Sequence, residues 1–271
     1  MKAIPVRHIK PAEQSALGRF SIRKIEHVLD GSDLQHDLHR HNFFFMLLVQ
    51  SGEGVHEIDF VPHAVTDGSV FLLRPGQVHQ LCLKTGATGY LMEFDTEFYR
   101  PTEKSSAHRF RRAAGKNRCH PETATFERLN ALLSDVFEEY TNKDDGYTDA
   151  IKATLEIFFI NYIRQSKSPD SINPATNAYI QERFEEFTEL VERNFKTHKQ
   201  VSHYADLINL SSYQLNEITK TTVGKTASLM IDEYIILEAK RYLLATASQI
   251  KEIADHLGYE DPSYFIRFFR K

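Results

Sequence analysis

Three histidines have the residue type and the spacing to bind a metal ion or a polar ligand. His39 and His41 directly precede the apolar run Phe43–Val49, and His79 follows a Pro-Gly turn. Residues two apart in a β-strand project from the same face, so His39 and His41 can point to one side. Three converging imidazoles would form a plausible set of metal ligands. The same side chains could instead line a small-molecule pocket or hydrogen-bond within the fold.

The elements that would position these histidines are short β-strands separated by Gly and Pro. Alternating or continuous apolar runs mark each strand, and a turn signal follows most of them. The candidate strands are Phe43–Gln50, Val55–Phe60, Val70–Arg74, Val78–Leu83 and Tyr90–Phe94. Short strands at this spacing predict a β-sandwich or a small barrel.

Beyond Pro101 the pattern changes from strand to helix. Residues 104–118 are polar with a basic cluster, which we interpret as a solvated loop in preference to a DNA-contacting one. Apolar residues then recur at helical spacing over 126–140 and over 151–162. Two adjacent stripes rich in aromatic residues would expose a large apolar area, so they predict a dimer interface within residues 121–165. Residues 166–180 have the Ser, Pro and Asn content of a linker.

The C-terminal part of the chain contains an internal repeat. Tyr204–Leu210 and Ile253–Tyr259 each place an Ala four residues before an Asn or Gly, with apolar residues on both sides. Ala permits close helix crossing, and Asn or Gly tolerates the left-handed conformation that ends a helix. Each copy therefore predicts a helix-turn-helix. A long amphipathic helix, roughly Ser228–Thr246, separates the two copies.

These stretches resemble the DNA-binding domain of the AraC/XylS family of bacterial transcription regulators. The resemblance is carried by LEAKRYLLATASQIKEIADHLGYEDPSYFIRFFRK (237–271) and HYADLINLSSYQLNEITKTTVGKT (203–226). It implies two recognition helices in successive major-groove segments on one DNA face, in a domain that is C-terminally short. By position, the residues implied to contact DNA are Tyr213, Gln214, Asn216, Glu217, Ser263, Tyr264, Arg267 and Arg270, the last on phosphate.

One position of the first recognition helix departs from the family pattern. Glu217 stands where the family usually has a basic residue. A carboxylate can accept a hydrogen bond from cytosine N4 but repels phosphates. Glu217 therefore either contacts cytosine or faces solvent.

The histidine segment is similar to the two motifs of a cupin barrel, which often serves as the sensor domain in this family. Metal-binding cupins normally add a glutamate a few residues after the second histidine. Phe44, Phe45 and Met46 occupy those positions here. We therefore expect His39, His41 and His79 to belong to an effector pocket, with no metal and no cofactor.

Composition excludes several classes of protein. The chain has 271 residues, two cysteines and a net charge of −4, and none of its segments has more Lys and Arg than Asp and Glu. Two cysteines are too few for a disulfide scaffold, and no apolar run is long enough to cross a bilayer. The N-terminus lacks a signal-peptide core, which predicts a cytoplasmic protein without a membrane partner. No Ser/His/Asp arrangement, P-loop or dinucleotide fingerprint points to an enzyme.

Together these observations predict an α+β protein. Residues 1–120 would form a cupin-like β-barrel sensor, 121–165 a helical dimerisation segment, 166–180 a linker and 181–271 an all-α double helix-turn-helix domain. We expect a homodimeric, non-enzymatic regulator that binds double-stranded DNA under the control of a small-molecule effector and contacts RNA polymerase. The alternatives are a metal-dependent cupin enzyme with a helical interaction domain, and a regulator whose packed barrel only dimerises.

Overall fold

The computed structural model describes residues 5–9, 19–101, 103–164 and 174–270. They divide into an N-terminal unit within Pro5–Lys167 and a C-terminal unit within Ser168–Lys271. The N-terminal unit is mostly β with three longer helices, and the C-terminal unit is helical throughout its described part. This arrangement confirms the predicted α+β class.

Two five-stranded sheets form the N-terminal unit. The first has the order β1-β3-β8-β5-β6 and the second the order β10-β7-β4-β9-β2. The strands are β1 (Val6–Arg7), β2 (Phe20–Lys24), β3 (Leu34–His41), β4 (Phe44–Ser51), β5 (Gly54–Ile58), β6 (Val61–Val65), β7 (Val70–Leu73), β8 (Val78–Leu83), β9 (Thr88–Phe94) and β10 (Arg118–Cys119). A one-turn helix, α1 (Ile25–Leu29), connects β2 to β3.

Strand β4 is apolar along its length because both of its faces are covered. Phe45 and Leu47 belong to one core together with residues of β5, β7 and β8. Phe44 and Met46 belong to a second core, which they share with helices on the outer face of the sheet. A strand that is buried on both faces reads as a continuous apolar run instead of an alternating one.

Three helices cover the outer face of the second sheet. They are α2 (Lys104–Ala114), α3 (Thr123–Asn142) and α4 (Tyr147–Arg164). The apolar stripes of α3 and α4, including Leu133 and Leu155, are fully buried in this core. The argument that these stripes would stay exposed without a dimer partner is therefore wrong, because the sheet of the same chain covers them.

The predicted loop over residues 104–118 is also wrong, because most of it is helix α2. Its few apolar residues, among them Phe110 and Ala113, pack into the core. Arg109 forms an ion pair with Glu156 of α4, and Tyr99 donates a hydrogen bond to the same carboxylate at 2.8 Å. A helix that buries so few side chains does not show a clear apolar period in the sequence.

The described part of the C-terminal unit, residues 174–270, contains six helices: α5 (Pro174–Asn194), α6 (Val201–Leu207), α7 (Ser212–Val223), α8 (Ala227–Ala245), α9 (Ile250–His256) and α10 (Pro262–Arg270). Helix α5 begins at Pro174, so the predicted linker 166–180 is helical from that residue onward. Residues 166–173 lie outside the described residues. Helix α8 matches the predicted connecting helix to within one residue at each end.

Both predicted helix-turn-helix turns are present. Asn209 has φ of 55° after α6, and Gly258 has φ of 74° after α9. These values lie in the left-handed region that the repeat predicted. Ala205 and Ala254, four residues earlier, are at most 1% exposed and join the apolar core with Leu215 and Phe265.

Candidate DNA-binding and sensor sites

Helix α10 presents a polar and basic face outside the core. Asp261 caps its start by accepting a hydrogen bond from the backbone N–H of Ser263 at 2.8 Å. Phe265 is buried, whereas Tyr264 is 61% exposed. The guanidinium carbon of Arg267 lies 5.8 Å from the centre of the Tyr264 ring, within the range of a cation–π contact. Ser263, Arg267 and Arg270 are exposed, as a DNA-contacting face requires.

Helix α7 occupies the equivalent place in the first helix-turn-helix. Tyr213 is 74% exposed, and Glu217 lies on the same exposed side, where it forms an ion pair with Lys220 at 3.7 Å. Aligning Leu215 with Phe265 places Lys220 opposite Arg270. Lys220 is not among the DNA contacts predicted from the sequence. The offset between the two repeats could have identified it, because it aligns Lys220 with the predicted phosphate contact Arg270.

The other two predicted contacts on α7 have structural hydrogen bonds. Gln214 accepts a hydrogen bond from the backbone N–H of Ser211 at 2.9 Å, which completes a capping box at the start of α7. The Asn216 side chain donates to the Ser212 carbonyl at 2.9 Å and accepts from the Ala227 N–H at 3.0 Å. Asn216 thereby fixes the start of α8 against α7. Of the predicted side chains of this helix, Gln214 and Asn216 are therefore bound to backbone groups, whereas Tyr213 and Glu217 lie on its exposed side.

One lysine connects the first helix of the C-terminal unit to the second turn. The Lys199 ammonium lies 2.9 Å from the Leu257 carbonyl, 3.1 Å from that of Gly258 and 3.1 Å from that of Lys196 at the end of α5. It also lies 4.5 Å from the centre of the Tyr259 ring. Burial lowers the pKa of this amine. Lys199 therefore holds the second helix-turn-helix against the end of α5.

In the N-terminal unit, the structure brings together the three histidines that the sequence selected. His39 and His41 lie on β3, and His79 lies opposite His39 on the adjacent strand β8. The Nε2 atom of His41 is 2.9 Å from that of His39 and 3.2 Å from that of His79. All three residues are at most 5% exposed.

A fourth histidine, His56 on β5, was missed by the sequence analysis. Its Nε2 atom is 2.8 Å from Nδ1 of His79, and its own Nδ1 atom is buried without a hydrogen-bond partner among the described residues. His56 is an inward-facing residue of the predicted strand Val55–Phe60. The strand prediction alone could therefore have placed His56 on the inner face.

Burial keeps these imidazoles neutral. The pKa is lowered to about 2 for His41 and to about 3 for His56, and it is also lowered for His39 and His79. Desolvation is the largest cause in each case. Repulsion from Arg7, or between the imidazoles themselves when they are protonated, lowers the pKa further for most of them. Neutral imidazoles carry lone pairs that can accept a hydrogen bond or bind a metal.

A surface cleft in the same unit does not include the three histidines. Phe43 forms part of its lining and also stacks on His41, with ring centres 4.3 Å apart. The ring of Phe43 thus stands between the cleft and the histidine cluster. The remaining lining residues are His8, Ile9, Arg19, Asn42, Asp95, Thr96 and Glu97.

Comparison with protein families finds a match for each unit. Residues 27–155 match the AraC-like ligand binding domain, and residues 204–271 match a helix-turn-helix domain. The HTH-type transcriptional activator RhaS of Escherichia coli O157:H7 is 22% identical over 252 residues, which cover 86% of this chain and 83% of RhaS. In the described part of the chain, no helix has the length and apolar content to span a membrane.

Two solved structures are also similar to the chain. ToxT from Vibrio cholerae O395 is 14% identical, with a TM-score of 0.42, and the match covers 92% of this chain and 93% of ToxT. The AraC-like transcriptional activator CuxR is 13% identical, with a TM-score of 0.35, and the match covers 90% of this chain and 83% of CuxR.

Proposed function

We propose that the chain, as a member of the AraC family of transcription regulators, reads DNA with α7 and α10 under the control of its histidine cluster. DNA binding and an N-terminal ligand-binding domain follow from the family. The observation that supports the choice of residues is the exposure of Tyr213 and Tyr264, at 74% and 61%, on the two recognition helices. Tyrosine is one of the residues that hydrogen-bond to the phosphates and sugars of DNA, and at this exposure both side chains can reach such a partner.

The division of roles between the two helices follows from their charges. Arg267 can donate two parallel hydrogen bonds to guanine O6 and N7, and its contact with Tyr264 restrains the guanidinium. Glu217 cannot make that contact, so the first helix contributes a weaker or cytosine-directed one. Lys220 and Arg270, at equivalent positions, suit the phosphate backbone.

We expect Arg267→Ala and Arg270→Ala to affect binding in different ways. Arg267→Ala should remove about 1–3 kcal/mol of discrimination at a single guanine. Arg270→Ala should weaken binding to all sequences alike and reduce the salt slope by about one unit. The measurement is a binding series on a DNA site selected from a random pool and its single-base variants, at several salt concentrations. Because the chain has no basic excess, we expect a modest affinity for DNA.

The control is Arg193→Ala, which removes an exposed arginine of α5 outside both recognition helices and should leave binding unchanged. Unaltered base preference in Arg267→Ala, together with its loss in Glu217→Ala, would contradict this assignment of the reading helix.

We further propose that the chain is a cytoplasmic, non-enzymatic homodimer that contacts RNA polymerase. RhaS is named a transcriptional activator, and contact with RNA polymerase is one way in which a DNA-bound activator can act. The relatives reported above give no support to the cupin-enzyme alternative. The surface that residues 121–165 can offer to a dimer partner is smaller than the sequence suggested. The apolar stripes of α3 and α4 are buried, so an interface would have to use the outward face of these two helices. Ile157 of α4 is 44% exposed there.

Light scattering at micromolar concentration should give twice the mass of the chain. Ile157→Asp should shift the protein to monomer, since burying a carboxylate in an interface is costly. The matched control is Val61→Asp on β6, a residue that is 54% exposed and lies outside the proposed interface. A monomeric wild-type protein under these conditions would remove the basis for the dimer.

A further inference from the structure

We propose that His39, His41 and His79 bind one divalent transition-metal ion, with Zn²⁺ as the best-suited ion, and that this ion is the signal to which the sensor unit responds. The second half of the proposal rests on the regulatory function proposed above. Nothing in the family matches assigns a metal to the chain. The distances, the proton positions and the surroundings of the three imidazoles support an ion between them.

The distances between the ligand atoms fit a shared ion. A tetrahedral ion bound at 2.0–2.1 Å to each nitrogen places those nitrogens roughly 3.3 Å apart. The observed separations from His41 Nε2 are 2.9 Å to His39 Nε2 and 3.2 Å to His79 Nε2. One ligand atom from each of the three residues lies within 4.8 Å of the others.

Hydrogen bonding alone cannot satisfy these nitrogens. The Asp37 carbonyl can only accept, so His39 Nδ1, at 2.6 Å, carries the proton and His39 Nε2 has a lone pair. His41 Nε2 would then have to donate to His39. His79 Nε2 faces the same His41 atom, so one proton would have to be shared between two acceptors, which weakens both contacts. If His41 Nε2 is instead unprotonated, two lone pairs face each other at 2.9 Å.

An ion would remove this conflict because it accepts all three lone pairs. On two of the three histidines, the nitrogen opposite the proposed ligand atom already has a hydrogen-bond partner. His39 Nδ1 donates to the Asp37 carbonyl, and His79 Nδ1 lies 2.8 Å from Nε2 of His56. Such outer hydrogen bonds hold a ligand ring in the correct tautomer and orientation.

The surroundings of the cluster favour an ion over an organic molecule. Aromatic rings pack directly against it: the ring centre of Phe43 is 4.3 Å from that of His41, that of Phe45 is 5.2 Å from His79, and that of Phe71 is 4.8 Å from His56. Drug-sized ligands occupy roughly 300–1,000 Å³, whereas a single ion needs only the space between the nitrogens.

The proposal departs from the sequence-based expectation of no metal, which rested on the apolar residues Phe44–Met46 in place of a glutamate. Three histidines and one open position for water already form a complete zinc site. A carboxylate is therefore not required. A site of neutral nitrogen ligands also suits Zn²⁺, Co²⁺ and Ni²⁺ better than Mg²⁺ or Ca²⁺, which prefer oxygen ligands.

The test is a titration of the full-length, chelator-treated protein with Co²⁺, followed by displacement with Zn²⁺. The visible absorption of Co²⁺ reports its coordination, and calorimetry gives the stoichiometry. We expect about one ion per chain, with a loss of affinity beyond about 100-fold in His39→Gln and His79→Gln and a loss of about 10–100-fold in His56→Leu. His198→Ala, which removes a histidine of the C-terminal unit, is the matched control and should bind as the wild type does.

Each variant is first compared with the wild type by circular dichroism, and glutamine is used because it keeps a polar side chain of similar size. Absence of stoichiometric Co²⁺ and Zn²⁺ binding would overturn the proposal. Unchanged binding in folded His39→Gln and His79→Gln would do the same.

The signalling half is measured separately, as the affinity for a DNA site selected from a random pool with and without Zn²⁺. We expect a shift of about 5-fold or more in the wild type and none in His79→Gln. Metal binding without such a shift would overturn the signalling half. Metal binding without any DNA binding would count against the regulatory function, and DNA binding without metal would count against the metal site alone.

Discussion

Replacing Gly258 by alanine should destabilise the C-terminal unit by about 2–5 kcal/mol. An L-residue in the left-handed region costs roughly 1–2 kcal/mol, and overpacking against fixed atoms adds about 1–3 kcal/mol. Both terms apply here, because Gly258 has φ of 74° and an added Cβ would lie 1.8 Å from the Lys196 carbonyl oxygen. That oxygen belongs to the backbone of the turn after α5, so it cannot move away as a flexible side chain would. Urea unfolding followed by helical circular dichroism gives the free energy of unfolding.

The same unit provides a closely matched control. Gly224, which ends α7, has φ of 71°, but an added Cβ there would meet no atom within 4 Å. Gly224→Ala should therefore lower the free energy of unfolding only by the cost of the left-handed backbone conformation, about 1–2 kcal/mol. The difference between the free energies of unfolding of the two variants measures the cost of placing a Cβ where the second turn approaches the Lys196 carbonyl. Equal losses in both would show that this approach contributes no strain.

Glu238→Ala should destabilise the C-terminal unit by up to about 3–5 kcal/mol, because it removes the carboxylate of a buried ion pair. Glu238 and Arg241 form an ion pair on α8 in which the side chains are only 9% and 5% exposed. The double replacement Glu238→Leu with Arg241→Met should recover most of that loss, since apolar residues of similar size remove both desolvation penalties. Urea unfolding of the two variants and the wild type gives the comparison.

An exposed ion pair in the same unit is the control for burial. Arg193 and Glu189 form an (i, i+4) pair on α5 with side chains 69% and 35% exposed. Glu189→Ala should cost no more than about 1 kcal/mol. If Glu238→Ala cost as little, the pair on α8 would have to be hydrated in solution.

The DNA-binding unit could be predicted from the sequence because its signals are local. An Ala that permits helix contact and an Asn or Gly that ends the helix stand four residues apart, so Ala205 with Asn209 and Ala254 with Gly258 specify their turns without help from distant residues. Even there, the sequence did not show that the Asn216 side chain binds α8. A polar residue on a helix surface looks the same in sequence whether it faces DNA or a neighbouring helix.

The sensor unit was harder to predict because its contacts join distant parts of the chain. Helical spacing identified α3 and α4 but not what covers them, so a buried stripe was interpreted as a dimer interface. The approach of His56 to His79 depends on the pairing of β5 with β8, and the alternation within one strand does not reveal its partner. Sheet register, more than side-chain type, determines this site.

Strand β4 alone separates the core that contains the histidines from the core that it shares with the helical layer. Phe45 lies against His41 and His79 on one side, while its neighbour Phe44 contacts Phe110 of α2 on the other, with ring centres 4.8 Å apart. Consecutive side chains of a strand share the same peptide units. A rotation or shift of the backbone that accommodates an ion among the imidazoles must therefore also move the side chains that support α2. A shift of β4 on binding of the proposed ion would therefore reach the helical layer through neighbouring residues of a single strand.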